Sequence, residues 1–468
     1  MPPKEDSSST VYMDPVIQTT LESPTKRIQL SDIAMAKSAP TREEEDDKKK
    51  DLWWIHGNGY DLQGLVERHP GGKEAILLGK GRDCTALVES YHAFSSHHRK
   101  VLEKYLRQPV QNPPPPDHFY EVLKQRSAAA LKAKGIDPVK DRGAGLLRMT
   151  YYFIISCFVL ATGYWHVKGS ILGSFAFAIF GWLLGSLGHD AGHFAVSHQY
   201  PKVNEWGVWA MSLICNPIMW QQQHTYGHHS FTNEVSHDPD IHHFDRLLRV
   251  HKSVPYDPKY QKQQYWLYVA FAYSFVVFGT AFFIPISMIQ TGSLYGIVQW
   301  HDKDRPSQAI GMRLHNLGYL LLVMVVPFWT HASAWTALAA VTLHVATLGI
   351  IFAIFSQINH LNELSLESDM ETRQHDATSN GAKTRNPQLV HSWAAAQVET
   401  SNNFASQSWL WHVLSNGLNH QIEHHLFPGL NHAHLHHIAP VVRQTCEEFG
   451  VTYKSYESWA DIMAATMR

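Results

Sequence analysis

Hydrophobic and polar residues are distributed very unevenly along this chain. Residues 1–50 are polar and end in a run of charged side chains, so they cannot bury an apolar core, and we predict a disordered tail there. From Trp53 to Arg107, short apolar runs alternate with glycine-bearing turns, and the last run has the spacing of an amphipathic helix. This pattern predicts a small folded domain over residues 51–110.

Four consecutive prolines follow the small domain, at residues 113–116. Such a run favours a stiff polyproline conformation, which holds the domains on either side at a set distance. We therefore predict a proline-rich linker and an approach helix over residues 111–145, and a second, larger domain over residues 146–468.

The larger domain contains apolar stretches of the length that a lipid bilayer requires. Met149–Trp165 and Ile171–Gly188 are each near the length needed to cross a hydrocarbon core of ~30 Å, and the short segment between them predicts a tight helical hairpin. Three more apolar stretches follow: Tyr265–Ile289, Leu314–Phe328 and Trp335–Ile358. A soluble protein with a very large core is the alternative, but several nearly charge-free segments of this length seldom occur in one soluble domain.

Composition adds limits on partners and compartment. The net charge of −2 gives no reason to expect binding to nucleic acid. The four cysteines form no CxxC pair, which argues against a disulfide framework or a thiolate metal site and fits a reducing compartment. The beginning of the chain contains no apolar signal sequence, so we expect the N-terminus to stay in the cytosol.

Histidine is the residue that stands out, because the chain contains 32 of them and many are clustered. Three clusters lie near predicted membrane segments: HDAGH with His189 and His193, HTYGHH with His224, His228 and His229, and QIEHH with Gln421, His424 and His425. A spacing of four residues places two side chains on one face of a helix, one turn apart. A single such pair is more often a surface feature, but three clusters near membrane segments indicate a shared site.

Imidazole nitrogens suit iron, zinc or copper, and a metal supplies the partner that a buried ring nitrogen needs. The seven histidines of the clusters exceed what one zinc ion with an open position would take, so they predict two metal ions. His360 directly follows an apolar stretch, as His189 does, and is a candidate eighth ligand. The alternative is a histidine at a helix end that binds no metal.

Nearby carboxylates are candidates to accept hydrogen bonds from the second ring nitrogens of these histidines. They are Asp190, Glu423 and Asp238, although Asp238 is equally well explained as a solvated surface residue. The histidine-rich segment 431–437 is predicted to form a cytosolic helical surface that packs under the third cluster, and we do not count it among the ligands.

A shared metal centre requires all three clusters on one face of the membrane, so the number of crossings between them must be even. Leu314–Phe328 and Trp335–Ile358 supply two crossings between the second and third clusters, and Tyr265–Ile289 would add a third. Pro285 interrupts that stretch near its end, so we predict that the stretch lies in the membrane interface or dips into it. With the first hairpin, this gives four spanning helices and a cytosolic catalytic face.

The three clusters resemble the HxxxH, HxxxHH and [H/Q]xxHH boxes of the membrane fatty-acid desaturase/hydroxylase superfamily, in the same order. A glutamine in the first position of the third box, here Gln421, resembles the front-end desaturases. These enzymes insert a double bond between an existing one and the carboxyl end. His420 precedes Gln421 and either competes with it for a metal position or simply packs. The resemblance implies that the box residues are catalytic and that the box histidines, together with His360, hold two iron ions.

Front-end desaturases also carry a fused N-terminal cytochrome b5 domain. HPGG at residues 69–72 resembles the haem motif of that domain, and ESYHAFS contains a histidine where the second haem ligand is expected. The resemblance therefore implies that His69 and His92 are the axial ligands of haem b, although His97 and His98 lie close to the second position.

The resemblance implies a mainly α fold, with a four-helix transmembrane di-iron domain and its cytosolic cap preceded by a small α+β cytochrome b5-like domain. It implies O2 as co-substrate and electrons from NADH, passed by an NADH-cytochrome b5 reductase to the haem. The implied substrate is a (poly)unsaturated fatty acyl chain, as acyl-CoA or bound to phospholipid, at the endoplasmic reticulum membrane. The position of the new double bond stays open between Δ5, Δ6, Δ8 and others.

Two alternatives lie within the same superfamily: a membrane lipid hydroxylase and a sphingolipid long-chain-base Δ8 desaturase, which also pairs the glutamine with a fused haem domain. An alternative of another class is a haem- or metal-binding membrane sensor or transporter. That class predicts ionisable residues inside the spans. The clustered histidines lie at span ends instead, which favours the desaturase.

Overall fold

The structure is a computed structural model that describes residues 50–243, 247–251, 254–263, 265–300, 305–362, 365, 366, 368–378 and 389–467. The predicted tail at 1–50 lies outside the described residues, apart from Lys50. The described residues belong to one compact unit.

A small α+β domain begins the described chain. Strands β1 (Trp53–Ile55), β2 (Asn58–Tyr60) and β3 (Leu106–Gln108) form one antiparallel sheet in that order. Between β2 and β3 lie two 3-10 helices, Gln63–Arg68 and Glu103–Tyr105, and three short α-helices, α1 (Lys73–Leu77), α2 (Thr85–Tyr91) and α3 (His97–Leu102). Trp53, Ile55 and Val66 are buried in the core that these elements share.

After the proline run, helix α4 (His118–Ala133) leads to the membrane region. Asp117 caps its first turn, since the carboxylate accepts a hydrogen bond of 3.1 Å from the backbone N–H of Tyr120. Phe119 and Leu123 of α4 are buried against the C-terminal part of the chain. The helix therefore fixes the linker to the cap of the larger domain.

Five helices are long and apolar enough to cross a membrane, so the chain is a multi-pass membrane protein. They are α5 (Leu146–Val167), α6 (Ile171–Gly192), α10 (Trp266–Thr291), α11 (Pro306–Thr330) and α12 (Ala334–Gln357). Helices α5 and α6 form the predicted hairpin, and α6 also packs against α12. Many large apolar side chains along these helices are exposed, as a lipid-facing surface requires.

Helix α10 has the length to span, so length alone does not confirm the predicted count of four crossings. The contacts of α10 nevertheless favour a position of both its ends on the same side of the molecule, beside the histidine clusters and the small domain. The Tyr273 hydroxyl near its start donates a hydrogen bond to Gln357, just before His360. Beyond its end, the carbonyl of Gln299 accepts a hydrogen bond from Arg82 of the small domain. The four-crossing topology stays a prediction, and these contacts support it.

The remaining elements form a cap at the ends of the membrane helices. Between α6 and α10 lie α7 (Pro201–Gly207), the 3-10 helix Val208–Leu213, α8 (Pro217–Trp220), the π-helix Gln221–His228, α9 (His229–Phe231) and the 3-10 helix Pro239–His243. The pairs β4 (Ser293–Leu294) with β5 (Val298–Gln299), antiparallel, and β6 (Asn403–Phe404) with β7 (Ser455–Tyr456), parallel, are short. The C-terminal helices are α13 (Met370–Thr378), α14 (Trp393–Glu399), α15 (Trp409–Leu414), α16 (Gln421–Leu426), α17 (His432–Phe449) and α18 (Trp459–Thr466). The predicted fold class, a mainly α protein preceded by a small α+β domain, is confirmed apart from the count of four membrane helices.

Candidate metal centre

Three segments bring the clustered histidines together in the cap. The last turn of α6 carries His189, and His193 follows directly as its C-cap residue. The second cluster lies on a π-helix, whose wider turns are frequently found at functional sites, except for His229, which begins α9. The third cluster occupies the short helix α16, whose residues are all buried.

Close approach of the first two segments depends on a glycine inside the HDAGH cluster. A Cβ atom placed on Gly192 would lie 2.2 Å from the ring of Trp220, so no other residue fits there without a shift. Trp220 in turn contacts the rings of His189 and His193, with centroid distances of 5.3 and 5.6 Å. The small residue thus lets the tryptophan pack under the cluster.

The first group of histidines surrounds one point. Candidate ligand atoms of His189, His193, His224 and His424 lie within 4.8 Å of one another. His229 joins them, because its Nε2 atom lies 3.3 Å from Nε2 of His224, although its ring also stacks on that of His425 with a centroid distance of 4.2 Å. We call these five residues the first histidine group.

The second group lies beside the first. Candidate ligand atoms of His228, His360 and His425 lie within 4.8 Å of one another. The Gln421 side-chain amide is in the same place, 2.9 Å from Nε2 of His360 and 3.1 Å from Nε2 of His425. We call the three histidines the second histidine group. The structure therefore brings together all eight candidate ligands predicted from the sequence, and Gln421 with them.

The two groups share their sequence segments in a simple way. Each pair of consecutive histidines is divided between the two groups. His229 and His424 belong to the first group, and their neighbours His228 and His425 belong to the second. His420 joins neither group, since its ring packs against His412 with a centroid distance of 6.2 Å. Of the two possibilities for His420, the structure thus favours packing.

Hydrogen-bond partners outside the second group determine which ring nitrogen of each histidine can bind a metal. Nδ1 of His228 lies 2.9 Å from a carboxylate oxygen of Asp238, and Nδ1 of His425 lies 2.7 Å from the side-chain oxygen of Gln397. Nδ1 of His360 donates to the backbone carbonyl of Thr400 at 3.0 Å. A ring that carries its proton on Nδ1 presents the lone pair of Nε2, as metal-binding histidines commonly do.

In the first group, several buried ring nitrogens have no hydrogen-bond partner among the described residues. They are both nitrogens of His189 and of His424, Nε2 of His193 and Nδ1 of His229. The Nε2 atoms of His224 and His229 also face each other at 3.3 Å. Unpartnered buried nitrogens cost free energy, and a metal ion between them removes that cost. The residues present therefore fit a metal centre, and their all-imidazole donor set suits iron.

Burial and charge act in opposite directions on these rings. Burial, with the neighbouring His360, lowers the pKa of His425 well below its usual range, so the ring is neutral and able to bind a metal. Burial also disfavours the charged form of His228, but the carboxylates of Asp238 and Asp240 outweigh it and raise the pKa of His228 to about 9. The carboxylates thus make His228 the most basic donor of its group.

Of the three carboxylates predicted as outer partners, Asp238 has that contact. The Glu423 carboxylate instead accepts hydrogen bonds of 2.8 Å from Asn403 and Tyr453. The Asp190 carboxylate accepts a hydrogen bond of 3.2 Å from Arg148 and another from Nδ1 of His432. Both carboxylates therefore brace the surroundings of the site, and an oxygen atom of Asp190 lies within 4.8 Å of candidate ligand atoms of His189 and His432.

His432 is a residue that the sequence analysis assigned to a surface helix. The structure buries it behind the first group, with ring centroids 5.0 Å from His189 and 4.6 Å from His424. Asn431 caps α17 and so places His432 at the start of the helix, against the site. The cap residue is the signal that could have located it, but only with the position of α17 already known.

In the small domain, His69 and His92 face each other with ring centroids 6.1 Å apart. Nδ1 of His92 donates to the carbonyl of Val88 at 2.9 Å, and Nδ1 of His69 to that of Gly72 at 3.2 Å, which leaves both Nε2 atoms free. Gly72 has a φ of 94°, a conformation that side-chain-bearing residues rarely adopt. The pair fits the axial ligation of a haem.

The neighbouring histidines have other positions. His98 packs beside His92 at a centroid distance of 4.7 Å, and its Nδ1 donates to the carbonyl of Ser95. His97 is exposed at the start of α3. Burial lowers the pKa of His92 to about 3, which keeps the ring neutral for a haem iron.

A cavity reaches both histidine groups. His189, His228 and His360 line one part of it. Its apolar part lies between three membrane helices and is lined by Trp182 of α6, Val276 of α10 and Phe352 of α12. The cavity therefore connects the candidate metal centre with the membrane region.

Two protein families match the chain, one for each of its two domains. The family "Fatty acid desaturase" matches residues 163–457, and the family "Cytochrome b5-like Heme/Steroid binding domain" matches residues 41–110. No solved structure matches the chain.

Three curated relatives show the same extent of similarity. An acyl-lipid (8-3)-desaturase of Physcomitrium patens is 30% identical over 88% of this chain and 86% of its own length. An acyl-lipid omega-13 desaturase of Chlamydomonas reinhardtii is 28% identical over 85% and 88%, respectively. Delta(5) fatty acid desaturase A of Dictyostelium discoideum is 27% identical over 86% and 87%. The chain thus belongs to the fatty acid desaturase family and is an oxygen-dependent desaturase of the front-end type, with a cytochrome b5-like domain at its N-terminal side.

Proposed function

We propose that this enzyme inserts a cis double bond at position Δ5 of a polyunsaturated acyl chain, between an existing double bond and the carboxyl end. The proposed carrier is a membrane lipid. The carrier follows the name of the relative from Physcomitrium, and the position Δ5 follows that of the relative from Dictyostelium.

Gln421 is the observation that carries the front-end assignment. A histidine could stand at this position of the third box, yet the amide of Gln421 lies against Nε2 of His360 and of His425. An amide is a weaker metal donor than imidazole, so the second group offers three strong donors and the first group five. This asymmetry leaves the second metal position more open.

The proposed ligands are divided between the two groups. The first group, with its five histidines, would hold one iron ion, and the second group, with His228, His360 and His425, would hold the other. Bound iron would supply the oxidising power from O2 that removal of hydrogen from a methylene requires, because no side-chain acid or base can do so. His69 and His92 would hold haem b.

The protein's own residues position the acyl chain and exclude water. Trp182, Val276 and Phe352 form apolar walls along which a hydrocarbon chain can lie with one segment beside the histidine groups. Thr280 lines the same cavity, but its hydroxyl donates to the carbonyl of Ile214 at 2.8 Å and so presents little polarity to a substrate. The cavity wall therefore suits an alkyl chain that enters from the bilayer.

We also propose the surroundings in which the enzyme works. Its electrons come from NADH through a separate NADH-cytochrome b5 reductase. Its membrane is that of the endoplasmic reticulum, with the haem domain and the histidine groups on the cytosolic face. The haem domain spans residues 51–110 and the desaturase domain residues 146–468.

Expression in a host that lacks polyunsaturated acids tests the function. The host is fed defined acids whose first double bond lies at different distances from the carboxyl group, and the position of each new double bond is determined by mass spectrometry. We expect a new Δ5 bond in lipids of cells with the wild-type chain and with His436→Ala, an exposed histidine on α17, and none with His424→Ala. Hydroxylated lipids or an altered long-chain base would contradict the proposal.

A further inference from the structure

The haem domain is docked directly on the histidine groups. Arg82 of the haem domain donates a 2.7 Å hydrogen bond to Gln222, and its guanidinium lies 4.6 Å from the ring centroid of Tyr226. The Tyr226 hydroxyl donates to the carbonyl of Asp83 at 3.1 Å. These contacts reach the outer face of the π-helix that carries the second cluster.

A third contact reaches a candidate metal ligand itself. The hydroxyl of Tyr91, the last residue of α2, lies 2.6 Å from Nδ1 of His193. Tyr91 is held from both ends, because Arg142 donates a 2.8 Å hydrogen bond to its carbonyl and its ring packs edge-on against Phe194. The tyrosine is therefore an ordered part of the domain interface.

His193 occupies the centre of the first histidine group. Its ring centroid lies between 4.4 and 5.1 Å from those of the other four members, His189, His224, His229 and His424. Its Nε2 atom is buried and has no hydrogen-bond partner among the described residues. With a metal ion at Nε2, the proton lies on Nδ1, which then donates to the Tyr91 oxygen.

Tyr91 is also joined to the haem domain's second histidine by a single peptide bond. His92 follows it in the sequence, and His92 has the geometry of a haem ligand. From His92 to His193 the connection consists of covalent bonds and one hydrogen bond of 2.6 Å. A continuous bonded path of this kind is a better medium for electron transfer than a gap between two surfaces.

We propose that Tyr91 couples the two centres electronically, so that electrons pass from the haem side through His92, Tyr91 and His193 to the first histidine group. The proposal rests on the function proposed above, which supplies NADH as the electron source. Each transfer moves one electron from reduced haem to the metal centre, and Tyr91 itself is neither oxidised nor changed in any covalent bond. Tyr91 is thus a positioning and coupling residue.

The test follows haem reoxidation in the purified full-length enzyme loaded with haem and iron. The haem is reduced anaerobically with NADH and NADH-cytochrome b5 reductase, and its absorbance is followed after mixing with O2 and a polyunsaturated phospholipid. The rate in iron-depleted protein is subtracted, since haem reacts slowly with O2 by itself. Iron and haem per chain are measured on the same samples.

Tyr91→Phe keeps the ring and removes the hydroxyl, and Tyr226→Phe is the matched control that removes another hydroxyl from the same interface. We expect Tyr91→Phe to keep its haem and iron but to reoxidise the haem roughly tenfold more slowly than the wild-type enzyme. Removal of an outer partner of a metal ligand commonly has an effect of this size. Tyr226→Phe should reoxidise at nearly the wild-type rate.

Three results would overturn the proposal. Loss of iron from Tyr91→Phe would show that the tyrosine only holds His193 in place. An unchanged rate would show that electrons take another path, and an equal slowing by Tyr226→Phe would assign the effect to docking. If the wild-type enzyme reoxidises its haem but forms no double bond, the proposed function fails while the comparison of the two tyrosines stays readable.

Discussion

A histidine ring has two nitrogens, and the residues around each ring decide which of them can bind a metal. In the second group, Asp238, Thr400 and Gln397 each occupy an Nδ1 atom, so three Nε2 atoms are directed to one place. These partners come from segments far apart in the sequence. Substitution of one of these partners tests its role while all eight candidate metal ligands stay in place.

Replacing Asp238 by Asn should weaken metal binding by the second group alone. The amide keeps the shape of the carboxylate but loses its charge, which makes His228 a weaker donor, and such outer changes typically lower metal affinity roughly 10–100-fold. The measurement is iron per chain during titration with a chelator. Glu447→Gln, an exposed residue of α17, is the control and should titrate as wild type. Equal iron retention by both variants would contradict the proposed ligand set.

Replacing His69 by Ala should remove the haem and leave the two histidine groups intact, because His69 lies in the small domain, which has a hydrophobic core of its own. NADH-driven desaturation should be lost, while iron per chain stays at the wild-type value. Optical spectra report the haem and metal analysis reports the iron. Loss of iron together with haem would contradict two independent metal-binding sites.

Sequence reasoning succeeded for residues whose chemistry is written in a local pattern. The spacing within each cluster and the HPGG motif located the residues that the structure brings together, including His360 at the end of α12. For Asp190 and Glu423, which are adjacent to box histidines in the chain, the hydrogen bonds go to other residues, among them Arg148 and Tyr453. Thr400, Gln397 and Tyr91 carry no sequence signal at all, since each contact depends on how distant segments pack.

Among the elements, the π-helix and α10 determine how the site is built and closed. The π-helix places the consecutive residues His228 and His229 in different groups. Helix α10 covers the cavity with Val276 and Thr280. The sequence predicted the histidine clusters and the apolar stretches. The π geometry depends on how the helix packs, and the periodicity of the sequence does not reveal it.

Cysteine labelling tests whether α10 crosses the membrane. Lys259→Cys lies before α10, Gln299→Cys lies after it, and Lys168→Cys in the loop between α5 and α6 marks the opposite face. In sealed microsomes, a membrane-impermeant maleimide should label the first two without detergent and the third only after detergent. If Gln299→Cys behaves as Lys168→Cys does, α10 crosses and the four-helix topology is wrong.

Over the whole molecule, the cytochrome b5-like domain is held against the desaturase domain. Besides the contacts at the metal centre, Glu89 of α2 forms ion pairs with Arg99 at 3.1 Å and with Lys124 of α4 at 2.9 Å. Burial would raise the pKa of Glu89, but His56, Lys124 and Arg99 together hold it well below its usual range. The carboxylate therefore stays charged and ties the haem domain to the approach helix.

This ion pair predicts a specific pH dependence. Because the pKa of Glu89 is lower in the folded than in the unfolded protein, its contribution is complete above its unfolded pKa of about 4.3 and is lost as the pH falls towards the folded value. Glu89→Gln should lower the melting temperature of the haem domain at neutral pH, and the difference from wild type should shrink below about pH 4. Melting followed by haem absorbance measures this. Glu103→Gln, at an exposed position, is the control, and a difference independent of pH would contradict the assignment.

The central claim is that eight histidines form two neighbouring metal sites, with five ligands in one and three in the other. Metal analysis of the purified enzyme, combined with Mössbauer spectra of iron-57-labelled protein, tests it most directly. The account predicts two non-haem iron ions for each haem, and the loss of one of them in His360→Ala, whose ring belongs to the second group alone. One iron per chain in the wild type, or loss of both ions in His360→Ala, would contradict it.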